Sequence, residues 1–171
     1  EEAQAETKLM LETYVDVCEN YLAIPVVSGV KSESEKFAGA DKTFTNETLM
    51  YDGKALQINT SHDFGNNFGK AFDINFTNKE GKEEAVYTTS WGFTTRAIGG
   101  MIMVHSDDRG LVIPPRIAPT QVMIIPIAQH KEGVLDKAYD LKELLGKNMS
   151  VKVDASDKQP GWKFSEAEMK G

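Results

Sequence analysis

Apolar residues in the first stretch of the chain recur at helical spacing. Met10, Tyr14, Val17, Cys18 and Tyr21 form one stripe with Glu and Lys between them, which predicts an amphipathic helix over residues 1–21. Ile24–Val30 follows as a strand, and Ser32–Glu35 has the chemistry of a capped, short helical turn. From Thr43 the period shortens to two. Thr43–Met50, Ala55–His62, Lys70–Thr77 and Ala85–Trp91 read as strands, with hairpin turns at Asp52–Gly53 and at Asn78–Lys82. Links this short join antiparallel neighbours.

Phe93–His105 is almost wholly apolar beyond Arg96 and predicts a helix. Gly99 and Gly100 weaken it, so both are expected to lie where the helix packs closely on a sheet. Asp107, Asp108 and Gly110 turn the chain, and Pro114, Pro115 and Pro119 stiffen a connector. A domain boundary is expected there, dividing residues 1–117 from residues 118–171. Beyond it Gln121–Ile127, Gly133–Leu145 and Ser150–Asp154 read as strand, helix and strand, a βαβ unit. The fold class is therefore α+β: an antiparallel sheet with helices, followed by the opening of an α/β domain.

Composition narrows the class. The hydrophobic share of 40% supports a packed core. The longest apolar runs, Met101–Val104 and Val122–Ile127, fall far short of the ~20 residues of a membrane span, so no membrane association is expected. The opening EEAQAET has neither a basic nor an apolar leader segment. Cys18 is the single cysteine, which excludes an internal disulfide and suits a reducing, cytoplasmic setting. Its place on the helical stripe makes it a buried small hydrophobe rather than a nucleophile. The net charge of −7 argues against a general nucleic-acid coat, so any RNA contact requires a local patch. Met101 and Met103 read as core fillers, Asp107–Asp108 as solvated turn carboxylates, and no Cys/His spacing supports zinc.

Arg96 stands out chemically. It follows Thr94 and Thr95 at the opening of an apolar helix, where the dipole disfavours a cation. A phosphate held jointly by the arginine and the helix N-terminus would reconcile the two. The plainer reading is a solvated arginine at a strand–helix corner.

The string TTSWGFTTRAIGGMIMVHSDDRGLVIPPRIAPTQVMIIPI from Thr88 resembles the third signature motif of class II aminoacyl-tRNA synthetases, in the prolyl-specific, archaeal and eukaryotic-like branch. ENYLAIPVVSGVKSESEKFAGAD (Glu19–Asp41) and GKALQINTSHDFGNNFGKAFDINF (Gly53–Phe76) resemble that family's amino-acid pocket segment and its Gln-x-x-Thr-Ser-His stretch. The resemblance spans almost the whole chain. It implies a ligase that activates L-proline with ATP and Mg²⁺ to prolyl-adenylate and transfers it to tRNA(Pro). By this resemblance Arg96 and Thr94 contact the ATP tail, with Arg96 as the catalytic cation, while Gln57 and Thr60 lie near the adenosine and α-phosphate. Phe37, His62, Ser90, Trp91 and Gly92 would line the proline pocket. Residues 1–117 would be the later part of the catalytic domain and residues 118–171 the start of the anticodon-binding domain.

The family's first two signature motifs, which build the dimer and supply an α-phosphate arginine, have no counterpart in these residues. The chain is therefore expected to be part of a homodimeric parent enzyme and to be inactive alone. The rival reading is a non-catalytic, synthetase-derived binding module. Read without the resemblance, His62 is a hydrogen-bonded histidine at a strand end, and Phe37 and Trp91 are core aromatics. One tension concerns geometry. Strict alternation places Thr60 and His62 on one face of their strand and Gln57 on the other, so a shared site requires a bulge or twist between Gln57 and Thr60.

Overall fold

In chain order the elements are α1 (Glu2–Asp16), a π-helical turn (Val17–Tyr21), β1 (Val27–Val30), β2 (Lys42–Leu49), β3 (Ala55–Asp63) and α2 (Asn67–Ala71). Then come β4 (Asn75–Thr77), β5 (Glu83–Ala85), β6 (Thr89–Phe93), α3 (Arg96–His105), β7 (Val122–Ile124), α4 (Val134–Leu145), β8 (Val151–Val153) and α5 (Pro160–Lys170). These come from a computed structural model that describes all of Glu1–Gly171. The chain divides into two units, Glu1–Val104 and His105–Gly171.

In the first unit β1, β2, β3 and β6 form a four-stranded sheet in that order, each pair antiparallel. The β2–β3 hairpin closes at Asp52–Gly53, where Gly53 adopts φ +77° and its N–H donates to the Met50 carbonyl at 2.9 Å. α1 and α3 cover one face. Cys18, Ile58 and Ala97 form its apolar centre, with Leu22, Val26 and Leu56 around them.

The contact with α1 is largely polar. The buried side of α1 and the π-helical turn is Thr7, Leu11, Tyr14 and Cys18, shifted from the expected stripe, and Tyr21 is exposed. The sheet explains the shift, because polar side chains there reach for helix carbonyls. Ser61 Oγ donates to the Thr7 carbonyl (2.8 Å) and Asn46 Nδ2 to the Leu11 carbonyl (3.2 Å). Asn46 Nδ2 also donates to Asn59 Oδ1 at 2.9 Å, and Ser28 Oγ donates to Asn46 Oδ1 at 2.6 Å. Asn59 Nδ2 in turn approaches Cys18 Sγ at 3.8 Å. Tyr14 stacks obliquely on Phe93, centroids 5.5 Å apart.

Several boundaries differ from those read in the sequence. Lys70–Thr77 is not one strand; its first residues belong to α2, and only Asn75–Thr77 pairs, with β5, in a separate two-stranded sheet. Ala85–Trp91 is likewise split between β5 and β6. The reason is tertiary. The Ile74 N–H donates to the Gly69 carbonyl and the Val86 N–H to the Ile74 carbonyl, while the Phe64 and Thr88 amides bond across to Thr88 and Gly65. These links divert the backbone from the main sheet. Ser32–Glu35 forms a hydrogen-bonded turn and no helix, and the strand expected over Ile24–Val30 is confined to Val27–Val30. Met103 is exposed, so only Met101 serves as core.

In the second unit β7 and β8 are parallel, with α4 as the crossover. α5 lies beyond the expected βαβ unit, although Gln159-Pro160 is a legible helix start, proline being preorganised for the first helical turn. Lys163 on α5 is buried, its Nζ donating to the Asp154 carbonyl at 2.9 Å and lying 3.7 Å from the Asp154 carboxylate. Desolvation makes such a lysine tenable only when paired. The Gln121 side chain brackets the start of the unit, accepting the Ser150 N–H and donating to the Pro115 carbonyl, both at 2.8 Å.

Three glycines test this packing. A Cβ on Gly100 would stand 3.0 Å from Ile58 Cδ1 and 3.2 Å from Leu56 Cδ2, so that glycine does serve close helix–sheet approach. Gly99, expected to share the role, faces open space. At Gly69 a Cβ would collide with the Val86 carbonyl oxygen, backbone that cannot swing aside. Gly69→Ala should therefore destabilise the chain by about 1–3 kcal/mol. Gly99→Ala should stabilise it by up to ~1 kcal/mol, since only helix propensity changes. Urea midpoints of the two variants against the parent check both signs.

Candidate functional site

The sheet face away from α1 and α3 is organised by one extra residue. In the β2–β3 ladder Asn46 pairs with Asn59 but Glu47 pairs with Gln57, leaving Ile58 bulged. On one side of the bulge Leu56 and Ile58 point toward Gly100 of α3. On the other, Asn59 and Ser61 point toward α1. Both sets thus lie on the helix-covered face, although strict alternation would separate them. The same phase change brings Gln57, Thr60 and His62 together on the opposite face. The expected bulge between Gln57 and Thr60 is present.

Cross-strand register fills in the neighbours. Thr43, Thr45 and Glu47 of β2 stand opposite His62, Thr60 and Gln57, and Ser90 and Gly92 of β6 stand opposite His62 and Thr60. Directly opposed residues share a face. Thr43, Thr45 and Glu47 were not singled out in the sequence. Their period-two spacing directly opposite the Gln-x-x-Thr-Ser-His segment was the available signal. Lys31 belongs with them, its Nζ 3.6 Å from the Glu47 carboxylate. Residues 27–31 with Thr45 and Glu47 help line a hollow of about 550 Å³.

His62 is the most constrained member. Its Nδ1 is 3.0 Å from Thr43 Oγ1 and its Nε2 is 3.0 Å from Thr60 Oγ1. The ring is 5.1 Å from that of Phe37 and stacks on Phe64 at 5.8 Å. Phe64 is buried, whereas Phe37 stays half exposed, so Phe37 offers a free apolar surface beside the imidazole. Burial lowers the His62 pKa below its ordinary value, because the charged form loses water.

Arg96 opens α3 three residues after β6 ends. The Thr94 hydroxyl accepts the Arg96 N–H at 3.3 Å and the Thr94 carbonyl accepts the Ala97 N–H at 3.0 Å, so Thr94 closes the helix start. Arg96 Nη1 donates to the Gln57 carbonyl at 3.2 Å. That bond docks the guanidinium beside the bulge, with the residue exposed and the fork's other donors available to an anion. Gly92 has no atom within 4 Å of where a Cβ would project, so the space before it is open.

The structure thus gathers Phe37, Gln57, Thr60, His62, Ser90, Gly92, Thr94 and Arg96 along one face and its edge. Trp91 is the exception and a correction. It pairs with Ser61, whose hydroxyl reaches α1, so Trp91 points to the helix side and away from His62. Ser-Trp-Gly lies inside a regular strand, and alternation there allows only the first and third residues to face His62.

Acidity gives a direct test of the His62 environment. With its folded pKa depressed below 6.5, the unfolded state binds the extra proton more readily. The contribution of His62 to stability is complete above pH 6.5 and is lost as pH falls through the folded pKa. His62→Gln should flatten the fall in urea midpoint over that window, measured against the parent at matched pH. An unchanged slope would show that His62 is solvated.

Comparison with known proteins adds an independent line. Residues 121–171 match the family described as anticodon binding domain. Over all 171 residues the chain is 63% identical to proline–tRNA ligase of Oceanobacillus iheyensis and 64% identical to that of Ruminiclostridium cellulolyticum, covering 36% of each relative. The chain therefore spans about a third of the length of the curated relatives it matches. Among solved structures it resembles prolyl-tRNA synthetase from Cryptosporidium parvum complexed with L-proline and AMP. There the TM-score is 0.92 at 44% identity, over 99% of this chain and 38% of that one.

Proposed function

We infer that this chain, which belongs along its whole length to the proline–tRNA ligase family, supplies part of the site where that enzyme joins L-proline to ATP. The observation that carries the reading is the Ile58 bulge, which aligns Gln57, Thr60 and His62 on one face with Arg96 docked at its edge. In the reaction a proline carboxylate oxygen attacks the α-phosphorus of ATP. The bond to the β-phosphate bridging oxygen breaks, leaving prolyl-adenylate and pyrophosphate. A terminal tRNA hydroxyl then takes the prolyl group, AMP departs and the hydroxyl proton is released.

Such a displacement asks the protein mainly for positioning and charge neutralisation. Arg96 and the amides at the start of α3 would hold the phosphate tail, and the cation's conflict with the helix dipole disappears once an anion sits between them. Thr94 keeps that helix start in place. Gln57 and Thr60 would contact the nucleotide near its adenosine and α-phosphate. Phe37, His62, Ser90 and Gly92 would bound the pyrrolidine ring, a small rigid group suited to an aromatic wall and an open glycine.

The one carboxylate on this face opposite Gln57, Glu47, is already paired with Lys31 and accepts the Thr45 hydroxyl, so Mg²⁺ would be held mainly through the substrate phosphates. When bound, the ion would offset phosphate charge. Residues 1–117 would belong to the catalytic domain and residues 118–171 to the domain that meets the tRNA(Pro) anticodon. The complete enzyme would act as a cytoplasmic homodimer.

Two substitutions in the full-length enzyme test the division of labour. Arg96→Ala should lower kcat/KM for ATP by about 10²–10³, with proline affinity far less affected. Arg96→Lys should recover only part, for want of the planar fork. Gly92→Val should fold normally, since its branch meets open space, yet raise the proline KM about tenfold or more by taking the ring's place. Pyrophosphate exchange at varied ATP and varied proline reads both. Equal losses toward both substrates for Arg96→Ala would make the arginine structural.

A further inference from the structure

A chain of hydrogen bonds behind the site fixes more than it would need to for packing alone. Thr43 is fully buried, and its hydroxyl oxygen accepts the Phe37 N–H at 3.0 Å. The other hydrogen-bond partner of that hydroxyl is His62 Nδ1, also at 3.0 Å. If Nδ1 carried a proton, the Thr43 oxygen would accept twice and its own proton would have no acceptor in a buried site, an arrangement folded proteins avoid. The Thr43 O–H therefore donates to Nδ1, and a neutral imidazole accepting there carries its proton on Nε2. Nε2–H in turn faces Thr60 Oγ1 at 3.0 Å. With its oxygen occupied as acceptor, Thr60 has its proton left over for a partner on the open face.

We propose that Thr43 is a positioning residue that holds His62 as the Nε2–H imidazole and thereby presents the Thr60 hydroxyl as a fixed donor to an anionic oxygen of the bound substrate, carboxylate or α-phosphate. The proposal rests on the substrate assignment of this face made above. It also couples the two halves of the site. Phe37, which would wall the proline ring, is tied through its own backbone amide to the same hydroxyl that orders His62. The burial that lowers the His62 pKa works in the same direction, since an imidazolium would leave the Thr43 proton unpaired.

The relay is tested without substrate, so its failure is separable from failure of the functional reading. In ¹⁵N-labelled chain, long-range imidazole spectra above the histidine titration range should show one of the three histidines as a fixed Nε2–H tautomer. That signal should vanish in His62→Gln. Thr43→Val should release it to a mixture or to Nδ1–H, and Thr43→Ser should retain it. An Nδ1–H signal for His62 in the parent chain overturns the proposal, whatever the variants do. So does a spectrum unchanged by Thr43→Val. In the full-length enzyme Thr43→Val and Thr60→Val should each raise the KM of one and the same substrate about tenfold with kcat less affected, and the double variant should be no worse than either. Full additivity of the two effects, or a Thr43→Val effect on kcat alone, overturns the link from Thr43 to substrate.

Discussion

Everything on the open face depends on the unpaired residue Ile58. A regular strand has two faces and one phase, and β3 has three demands to meet. Its first half must present Leu56 and Ile58 to α3, where Gly100 lets the helix approach. Its second half must present Asn59 and Ser61 to α1. Between them Gln57, Thr60 and His62 must look the other way together. One inserted residue meets all three by resetting the phase midway. Without it, one helix contact or one site residue would be on the wrong side.

The polar seam under α1 keeps that phase in place. Ser28, Asn46, Asn59 and Ser61 are linked to one another or to carbonyls of α1, and Asn46, Asn59 and Ser61 are buried. Each such bond nets only about 1 kcal/mol, but leaving a buried partner unmade costs about 1–3 kcal/mol. The seam therefore acts mainly against alternatives: a register slip in β3 would strand several of these groups at once. An apolar interface could slide with less penalty. That difference explains why the helix turns Thr7 inward where amphipathic spacing alone would choose another stripe.

Arg96 joins the bulge to the helix that covers it. Its guanidinium bonds the Gln57 carbonyl, immediately before the extra residue, while its backbone amide is held by Thr94. A cation at a helix N-terminus is electrostatically misplaced in the free chain. Docking on a carbonyl dipole offsets part of that cost and leaves the remaining donors directed at the region where an anion would relieve the rest. An anionic ligand, as in the reaction proposed above, would complete the arrangement.

Much of this was legible in the residues themselves. Period-two runs and Asp-Gly or Asn…Gly turns marked β2, β3 and the β4–β5 turn, and apolar spacing marked α1, α3 and the βαβ unit, because these signals are local and nothing distant opposes them. If Gln57, Thr60 and His62 share one site, their spacing requires a bulge or a twist, and the bulge is at Ile58. Tertiary structure decided the rest. It split two expected strands where the backbone of Gly69, Ile74 and Val86 closes on itself, and it shifted the inward stripe of α1 to meet polar side chains of the sheet. It also turned Trp91 away from His62. The family resemblance implies a pocket residue there, but the register against Ser61 fixes the face, and register is set by hydrogen bonds between strands far apart in the chain. The partners of His62 were hidden for the same reason: Thr43 lies 19 residues away along the sequence and is brought within 3.0 Å only by pairing of β2 with β3.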